Sequence, residues 1–195
     1  MLNRQHLFAI RLCDIIFSFF GLVILSPVLI FIYIAGALIL GSPLYRQQRM
    51  GMDQHPFTLV KFRTMSKGTA AKPTHLISSH SMTPYGRFLR KTKLDELPQL
   101  WNVLKGEMSL VGPRPSLFTQ IELISARQAA GLFEMRPGIT GLAQINAIDM
   151  SNPALLAQTD KKMVSNFSIL SYFKYILVTI LGKGYGDRVI KIDGV

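Results

Sequence analysis

The longest apolar stretch of the chain runs from Leu12 to Leu40, and Asp14 is its only formally charged residue. It exceeds the roughly 20 residues that a helix needs to cross a bilayer. Ser26 and Pro27 interrupt it in the middle, and proline kinks or breaks a helix because it lacks a backbone donor and clashes with the preceding turn. The pattern therefore predicts two apolar helices with a break at Ser26-Pro27.

Two membrane arrangements fit this pattern from the residues alone. A single kinked helix could cross the bilayer. Alternatively, the segment could enter, bend at the break and leave on the same face, because each half of about 14 residues is ~20 Å long and too short for a ~30 Å hydrocarbon core. Arg4 and Arg11 precede the segment, and Arg46 and Arg49 follow it. Basic flanks tend to stay in the cytoplasm, which the re-entrant arrangement satisfies on both sides.

The sequence after the apolar stretch predicts short elements. Leu44–Arg49 and Phe57–Arg63 have the pattern of two strands in a β-hairpin, which places Lys61 and Arg63 on the same side. Thr83-Pro84 supplies an N-cap and a first-turn proline for a helix. The other predicted elements are helices that begin near Asp95 and cover Glu122–Phe133 and Pro153–Val164, a strand over Ile139–Ile145, a polar loop over Ser66–Ser81, an interfacial or core segment over Ile169–Leu181, and a glycine-rich tail from Gly182.

Two of the predicted helices each have a distinct face. The first would carry Arg87, Arg90 and Lys91 on one face. Taken alone, Arg90 and Lys91 fit a solvated face or a face against lipid headgroups. The helix predicted to begin near Asp95 would bury an apolar face made of Leu97, Leu100, Trp101 and Leu104, and Gly106 would end it.

Composition narrows the partners that the chain can have. Its 195 residues include 22 Lys and Arg against 11 Asp and Glu, which gives a net charge of +11. A strongly basic chain favours an anionic partner, which can be nucleic acid, anionic lipid or a phosphorylated substrate. Cys13 is the only cysteine, so an intrachain disulfide and a thiolate zinc site are excluded. The four histidines do not have the spacing of metal ligands.

Asp95-Glu96 is the candidate reactive pair. One of the carboxylates could cap a helix, but capping explains neither both of them nor the basic residues around them. One carboxylate could bind Mg²⁺, which usually also takes ligands from substrate phosphates, and the other could attack phosphorus. Both residues are therefore candidates for catalysis and for metal binding. The side chains expected to hold the phosphates are Lys61, Arg63, Arg87, Arg114 and Arg136.

Four blocks of the sequence resemble, in the same order, the bacterial monotopic phosphoglycosyl transferases, the sugar transferase family that begins polysaccharide or glycoprotein glycan assembly. The blocks are the apolar stretch with Ser26-Pro27, Lys61–Met65, Leu94–Pro115 and Arg136–Asn146. The long third block is highly specific. In this family a re-entrant membrane helix bends at the Ser-Pro pair, so the resemblance favours the re-entrant arrangement.

The resemblance implies transfer of a sugar 1-phosphate from a UDP-sugar to undecaprenyl phosphate, with release of UMP. Asp95 matches the family's nucleophile, which forms a covalent phosphosugar intermediate. Glu96 matches the neighbour that assists through the metal or through proton handling. The substrate-binding positions that the resemblance supports are Lys61, Arg114, Gln144 and Asp160.

The implied architecture is α+β and mainly helical. Residues 1–41 would form a re-entrant hairpin at the cytoplasmic face of the bacterial inner membrane. Residues 42–195 would form a cytosolic catalytic domain with interfacial amphipathic helices and the short β-hairpin. The expected partners are a UDP-sugar, undecaprenyl phosphate and inner-leaflet lipids, with Mg²⁺ as cofactor and without nucleic acid. The expected oligomeric state is either a homodimer or a monomer.

Three positions depart from the family pattern. Lys93 stands where many members have a small residue before Leu-Asp-Glu, Ala147-Ile148-Asp149 replaces Gly-Arg-Asn, and Tyr172 replaces a second C-terminal aspartate. The segment from Ala147 to Pro153 resembles a subgroup that handles N-acetylated amino or deoxy-amino sugars.

The alternative is a bitopic membrane protein with a basic cytosolic domain that binds nucleic acid. It accounts for the charge and the apolar stretch. However, it gives no role to Asp95-Glu96 or to Arg114 between two prolines, and the aromatic residues do not alternate with basic ones as in common RNA-binding modules. We therefore prefer the transferase interpretation.

Overall fold

The computed structural model describes residues 4–66 and 82–181, which are mainly helical with two small sheets and so confirm the α+β class. Most of the predicted polar loop and the glycine-rich tail lie outside these residues. In chain order the elements are α1 (Arg4–Ile24), α2 (Ser26–Leu40), β1 (Leu44–Met50), β2 (Pro56–Phe62), α3 (Pro84–Lys91), α4 (Gln99–Lys105), β3 (Ser109–Val111), α5 (Ile121–Ala129), β4 (Gly138–Thr140), α6 (Leu142–Ile145), α7 (Pro153–Ser165) and α8 (Ile169–Ile180). Short 3₁₀ turns occupy Met52–Gln54, Leu94–Glu96 and Leu132–Glu134.

The apolar stretch forms two helices that meet at Leu25, which confirms the predicted break. Pro27 lies in the first turn of α2, where a missing N–H leaves no helical hydrogen bond unmade. The Ser26 hydroxyl donates to the Val23 carbonyl over 2.8 Å and so occupies one acceptor at the end of α1. By length and composition, Leu7–Ile24 could cross a membrane, and it is the one such helix in the part of the chain described. The re-entrant arrangement stays a prediction.

Both helices of the apolar segment are bound to the rest of the chain by polar contacts. Arg11 of α1 donates to the carbonyls of Val103 (2.7 Å) and Leu104 (3.0 Å) at the C-terminal end of α4. In α2, the Ile32 carbonyl accepts a hydrogen bond from the hydroxyl of Tyr85 in α3 over 2.7 Å. Helices α1 and α2 are therefore both fixed on the same folded body.

Asp14, the charged residue of the apolar stretch, holds α1 against two other elements. Only 1% of its surface is exposed. Its Oδ1 accepts hydrogen bonds from the Ser109 hydroxyl (3.1 Å) and Leu110 N–H (2.9 Å) of β3 and from the Tyr172 hydroxyl (2.8 Å) of α8. Burial and the nearby Asp14 charge raise the pKa of Tyr172, so its hydroxyl stays protonated and can donate. Because Ile10 shares the core with Met108 and Leu110, packing continues across the predicted boundary at residue 41.

The predicted β-hairpin is confirmed. Strands β1 and β2 are antiparallel, with Leu44 opposite Phe62 and Met50 opposite Pro56. The outer edge of β2 is covered by the side chain of Asn102 from α4. Its amide donates to the Thr58 carbonyl over 2.8 Å and accepts from Val60 N–H over 3.1 Å. This side chain satisfies backbone groups that an open strand edge would leave unpaired.

A second sheet, the parallel pair of β3 and β4, was not predicted. The predicted strand over Ile139–Ile145 is correct only at its start, because β4 ends at Thr140 and the chain then forms the short helix α6. Strands of three residues are too short to show a period of two. The two backbones approach closely beside this sheet: a Cβ on Gly138 would lie 1.9 Å from the Gly112 nitrogen, so Gly138 tolerates no side chain.

Two helix predictions are corrected by the structure. Helix α4 begins at Gln99 rather than near Asp95, and Trp101, assigned to its buried face, is 56% exposed. Its buried side consists of Gln99, Asn102 and Val103, because Asn102 turns inward to reach β2. Helix α5 ends at Ala129 instead of Phe133, since Gly131 adopts a left-handed conformation with φ 68°. Helix α7 confirms the prediction over Pro153–Val164.

We expect Asp14→Ala to lower the free energy of unfolding by about 2–4 kcal/mol, because three buried donors would lose their acceptor. Tyr172→Phe removes only one donor and should cost about 1 kcal/mol. Urea unfolding of the purified chain in detergent measures both values. Equal and small effects would show that the Asp14 carboxylate does not hold α1 on β3 and α8.

Candidate active site

The acidic pair lies on a 3₁₀ turn between α3 and α4. Within this turn Glu96 N–H donates to the Lys93 carbonyl over 3.2 Å. Asp95 is 6% exposed, whereas Glu96 is partly exposed. The N-cap of α4 is Pro98, and no side chain caps that helix end. The capping explanation of the pair is therefore wrong for α4.

Glu96 and Arg114 form an ion pair. One guanidinium nitrogen of Arg114, Nη2, lies 2.8 Å from Glu96 Oε1. The two side chains are only 20% and 13% exposed, so solvent screens this pair less than a surface pair. The structure thus brings together two of the predicted site residues that are distant in sequence.

The loop that carries Arg114 is held through its carbonyl groups. Pro113 and Pro115 have no backbone N–H, so much of the loop's hydrogen bonding depends on acceptors. Each carbonyl of residues 113–116 accepts a hydrogen bond. In order, the donors are Gly138 N–H (2.9 Å), Arg127 Nη1 (2.7 Å), Arg49 Nη1 (3.0 Å) and Met50 N–H (3.0 Å). Arg114 is therefore fixed from β1, α5 and β4 at once.

A buried ion pair stands behind this loop. Arg127 Nε and Nη2 donate to Asp160 Oδ2 over 3.1 Å and 2.7 Å, and the side chains are 3% and 0% exposed. Burial raises the pKa of Asp160, and the Arg127 guanidinium opposes that shift. Asp160 lies in the core, and its binding of substrate stays a prediction. Sequence analysis missed Arg127, whose spacing of four residues from the buried Leu123 was the available signal.

Lys61 on β2 and Arg63, one residue beyond the end of β2, lie near the same aromatic ring, in agreement with the prediction that they share one side; the predicted strand to Arg63 is one residue too long. Lys61 Nζ is 5.8 Å and Arg63 Cζ is 5.6 Å from the centre of the Tyr45 ring on β1. Arg63 Nε also donates to the Ser42 carbonyl over 3.0 Å, which anchors the end of β2 to the residues that follow α2. The end of this strand therefore carries two cations against one aromatic ring.

Helix α3 contributes two arginines with different environments. Arg87 is exposed. Arg90, which was assigned to a solvated or headgroup face, is instead partly buried, and its Nε donates to the buried Thr64 hydroxyl over 3.0 Å. The reason is that α3 packs on the segment directly after β2, so the face that carries Arg90 meets protein.

The other two predicted residues lie at different places. Arg136 Nε donates to the Gly106 carbonyl over 2.9 Å, at the C-terminal end of α4, whereas the acidic turn precedes its N-terminal end. The seven residues of α4 separate these ends by ~10 Å. Gln144 Nε2 donates to the Gly112 carbonyl over 3.3 Å, directly before the Arg114 loop. Its Oε1 is buried and has no hydrogen-bond partner within residues 4–66 and 82–181.

Among the residues that the structure describes, the candidate metal ligands at the turn are the carboxylates of Asp95 and Glu96. No group of three His, Cys, Asp or Glu side chains that could hold a metal occurs in the described segments. Two hard oxygen donors fit Mg²⁺ shared with substrate phosphates and do not form a closed cage. The residues present therefore fit the predicted magnesium ion only together with a phosphate ligand.

Comparisons with known proteins agree with the sequence motifs. The model of the bacterial sugar transferase family matches residues 5–183. The sugar transferase EpsL of Bacillus subtilis (strain 168) is 40% identical over 171 residues, which cover 87% of this chain and 84% of EpsL.

Two longer relatives carry more specific names. A UDP-glucose:undecaprenyl-phosphate glucose-1-phosphate transferase of Klebsiella pneumoniae is 40% identical over 197 residues, which cover 96% of this chain but 42% of that protein. An undecaprenyl-phosphate galactose phosphotransferase of Salmonella typhimurium (strain LT2) is 36% identical over 161 residues, with coverages of 74% and 34%. The chain thus spans less than half the length of either relative.

We expect Arg127→Met and Asp160→Ala, each alone, to lower the free energy of unfolding by about 3–5 kcal/mol, because each leaves an uncompensated buried charge. The double variant has no such charge and should regain most of that loss. Urea unfolding of the three variants gives the comparison. Additive losses in the double variant would contradict the pairing.

Proposed function

The chain belongs to the bacterial sugar transferase family and is a phosphoglycosyl transferase, and we propose that it transfers a sugar 1-phosphate from a UDP-sugar to undecaprenyl phosphate with release of UMP. The observation that carries the proposal is the buried Asp95 beside the ion pair of Glu96 with Arg114. A reactive carboxylate next to a fixed arginine suits attack on a phosphate and recognition of its oxygens.

The names of the relatives support the two substrates. Both longer relatives are named for undecaprenyl phosphate, and one is named for glucose 1-phosphate while the other is named for galactose. Since their sugars differ, the lipid acceptor is the shared element, and the sugar of this chain needs its own test. The proposed product would begin a surface polysaccharide or a glycoprotein glycan.

In the proposed first step, a carboxylate oxygen of Asp95 attacks the phosphorus that carries the sugar. A bond forms between this oxygen and phosphorus, and the bond from phosphorus to the oxygen that bridges the two phosphates breaks. UMP leaves with the bridging oxygen and its electron pair. The phosphosugar is then attached to Asp95 as a mixed anhydride, which preserves the energy of the diphosphate bond for transfer.

In the second step, a phosphate oxygen of undecaprenyl phosphate attacks the same phosphorus. The bond between phosphorus and the Asp95 oxygen breaks, which returns Asp95 to a carboxylate and leaves a lipid-linked diphosphate sugar. Both steps place negative charge on phosphate oxygens beside the acidic turn. Fixed cations at that place lower the barrier because they need no reorganisation during the reaction.

We assign most of the basic residues to direct contact with phosphate oxygens and one to a longer-range electrostatic role. We assign Arg114 to the reacting phosphate, since it already lies beside the acidic pair. Lys61 on β2, Arg63 directly after it and Arg87 on α3 would hold the remaining phosphate oxygens. Arg136, whose side chain is bound to the Gly106 carbonyl at the end of α4, would attract the phosphates electrostatically over a longer distance.

We also propose roles for Gln144 and Asp160, which lie behind the Arg114 loop. Gln144 presents a buried carbonyl oxygen that a substrate hydroxyl or amide could satisfy. Asp160 would contribute through Arg127, which it holds against the Arg114 carbonyl.

We propose Mg²⁺ as cofactor, held by Asp95 and Glu96 together with the phosphates of the donor. When bound, it neutralises phosphate charge that otherwise repels a carboxylate nucleophile. Glu96 is oriented for this role by Arg114, which leaves its second carboxylate oxygen for another ligand.

The segment from Ala147 to Pro153 is our candidate for the choice of sugar. Ala147 has a left-handed backbone with φ 59°. Met150 Sδ lies 3.1 Å from Gln120 Nε2, and Gln120 Oε1 accepts from Leu117 N–H over 2.8 Å. The segment therefore contacts the residues that follow the Arg114 loop. We propose that it favours N-acetylated amino or deoxy-amino sugars.

We propose that α1 and α2 form a re-entrant hairpin at the cytoplasmic face of the inner membrane. α2 has 15 residues and is ~22 Å long, so it does not cross a bilayer. Because α1 and α2 are both fixed on one body, the flanks of the hairpin belong on the same side as that body. The side chains expected to lie in lipid are the large exposed apolar ones around the break: Phe19, Phe20, Val23, Ile24, Val28, Ile30 and Phe31.

The first test is a panel of UDP-sugars with undecaprenyl phosphate, read out as UMP release and as intact mass of the chain. We expect Asp95→Asn to abolish both UMP release and a phosphosugar adduct, because an amide is a poor nucleophile. Asp53→Asn is the matched control, since Asp53 is exposed and its φ of 52° suits asparagine.

We expect the control to behave like the parental chain. Full activity of Asp95→Asn would refute the assignment of the nucleophile. Activity of the parental chain with glucose or galactose donors but not with amino sugars would refute the proposed sugar class.

Topology is tested by cysteine labelling in a Cys13→Ser background. We expect Asn3→Cys and Gln48→Cys to resist a membrane-impermeant maleimide in intact cells and to react after permeabilisation, because both flanks are cytoplasmic. Adding Pro27→Leu should remove the break and expose Asn3→Cys outside. Labelling of Asn3→Cys in intact cells without that change would instead indicate a spanning helix.

A further inference from the structure

Arg90 of α3 has a guanidinium group that the protein satisfies only in part. Its Nε donates to the hydroxyl of Thr64 over 3.0 Å, and Thr64 is 3% exposed. Within the described part of the chain, the Nη1 atom of Arg90 is also buried but has no hydrogen-bond partner, and no carboxylate forms an ion pair with this side chain. A buried N–H of a charged group is unfavourable without an acceptor, so the Arg90 side chain favours an anionic ligand.

A second arginine on α3 lies beside Arg90. Arg87 precedes it by three residues, so the two side chains share one face of the helix. Arg87 is exposed, and no acidic side chain among the residues described pairs with it. Two like charges at this spacing repel each other. A phosphate between them would be attracted by both, and its oxygens suit the planar donor geometry of guanidinium groups.

Helix α3 connects the apolar helix α2 to the acidic turn. Near the start of α3, the Tyr85 hydroxyl donates to the Ile32 carbonyl of α2 over 2.7 Å. Arg90 follows Tyr85 by five residues, which is ~7.5 Å along the helix axis. The Arg90 carbonyl accepts from Lys93 N–H over 3.2 Å, and the Lys93 carbonyl accepts from Glu96 N–H over 3.2 Å. Along the chain, Arg90 therefore stands between the contact with the proposed membrane helix and the reactive pair.

A purely structural role explains only part of this arrangement. The hydrogen bond from Arg90 to Thr64 fixes α3 on the segment after β2. A cation in the last turn of α3 also interacts favourably with the helix dipole. Neither interaction uses Nη1, whose burial without an acceptor costs free energy.

We propose that Arg90, with Arg87 beside it, binds the phosphate of the undecaprenyl phosphate acceptor. The inference rests on the proposed function and assigns different cations to the two substrates. Arg114 would hold the phosphate of the donor, and Arg90 would hold the lipid phosphate that approaches from the side of α2. The second step brings two anionic phosphates together, and separate cations lower their repulsion.

The test separates the two steps of the proposed reaction. Without lipid acceptor, the first step and its reversal exchange labelled UMP into the UDP-sugar, whereas complete transfer also needs undecaprenyl phosphate. Both rates are measured with the full chain in phosphatidylcholine nanodiscs. We expect Arg90→Gln to raise the KM for undecaprenyl phosphate roughly tenfold, which is the size of one charge-assisted hydrogen bond. The exchange rate and the KM for the UDP-sugar should stay close to those of the parental chain.

Two further variants separate binding from folding. Thr64→Val keeps the Arg90 charge but removes the hydroxyl that orients it, so the KM for undecaprenyl phosphate should rise by a smaller factor than in Arg90→Gln. Arg46→Gln is the matched control, because Arg46 is exposed on β1 and its side chain points to the face opposite that of Tyr45. It should leave both rates unchanged. The unfolding temperature of each variant shows whether the fold is retained.

Three results would overturn the assignment. Equal losses of exchange and transfer in Arg90→Gln would show that Arg90 acts on the donor or on the fold. An unchanged KM for undecaprenyl phosphate would exclude the acceptor, and weaker binding of the same variant to phosphatidylglycerol vesicles would then assign Arg90 to a phospholipid headgroup. Failure of the proposed function is distinguishable, because the parental chain would then catalyse neither exchange nor transfer, and both proposals would be overturned.

Discussion

The candidate active site depends on how the chain satisfies a loop that is short of hydrogen-bond donors. Pro113 and Pro115 fix the backbone on both sides of Arg114 but contribute only acceptors. The required donors come from Arg49 and Met50 of β1, from Arg127 of α5 and from Gly138 of β4. The β1–β2 hairpin, helix α5 and the parallel β3–β4 sheet therefore meet at the Arg114 loop. Because residues of β1, α5 and β4 together position Arg114, its distance from Glu96 depends on how these elements pack against one another.

The same logic extends to the membrane segment. Asp14 would be unfavourable in a helix surrounded by lipid, because an ionisable group there lacks partners. In this chain the carboxylate faces protein and accepts three hydrogen bonds from β3 and α8. β3 continues through Val111 and Gly112 into the Arg114 loop. The apolar helix is thereby connected to the Arg114 loop through one short strand. If α1 and α2 lie in the membrane as proposed, this strand would set the distance between the acidic turn and a lipid phosphate.

The sequence was sufficient to predict those elements whose formation depends on residues close together in the chain. Pro27 predicted the break, two short strand-like stretches predicted the hairpin, and the predicted start of α7 at Pro153 was correct. The elements that were missed depend on distant partners. β3 exists because β4 pairs with it in parallel, and neither strand is long enough to show a pattern. The acidic pair lies on a separate turn that ends before Pro98, the N-cap of α4, and the left-handed Lys93 separates this turn from α3, a conformation that sequence alone does not indicate. Glu96 and Arg114 were both predicted as site residues, but Arg127 was not, because its role depends on Asp160 from another helix.

A basic chain can hold an acidic reactive pair because its charges occupy separate environments. The buried Arg127 is paired with Asp160, and the partly buried Arg114 is paired with Glu96. The surplus cations include exposed side chains such as Arg87 and Lys91. Exposed charges attract anionic lipid and phosphorylated ligands over distances of about one Debye length, ~10 Å at moderate salt. The buried pairs act at contact distance and determine geometry. In the proposed function, the exposed cations would attract an anionic substrate, which would then meet Arg114 beside the acidic turn.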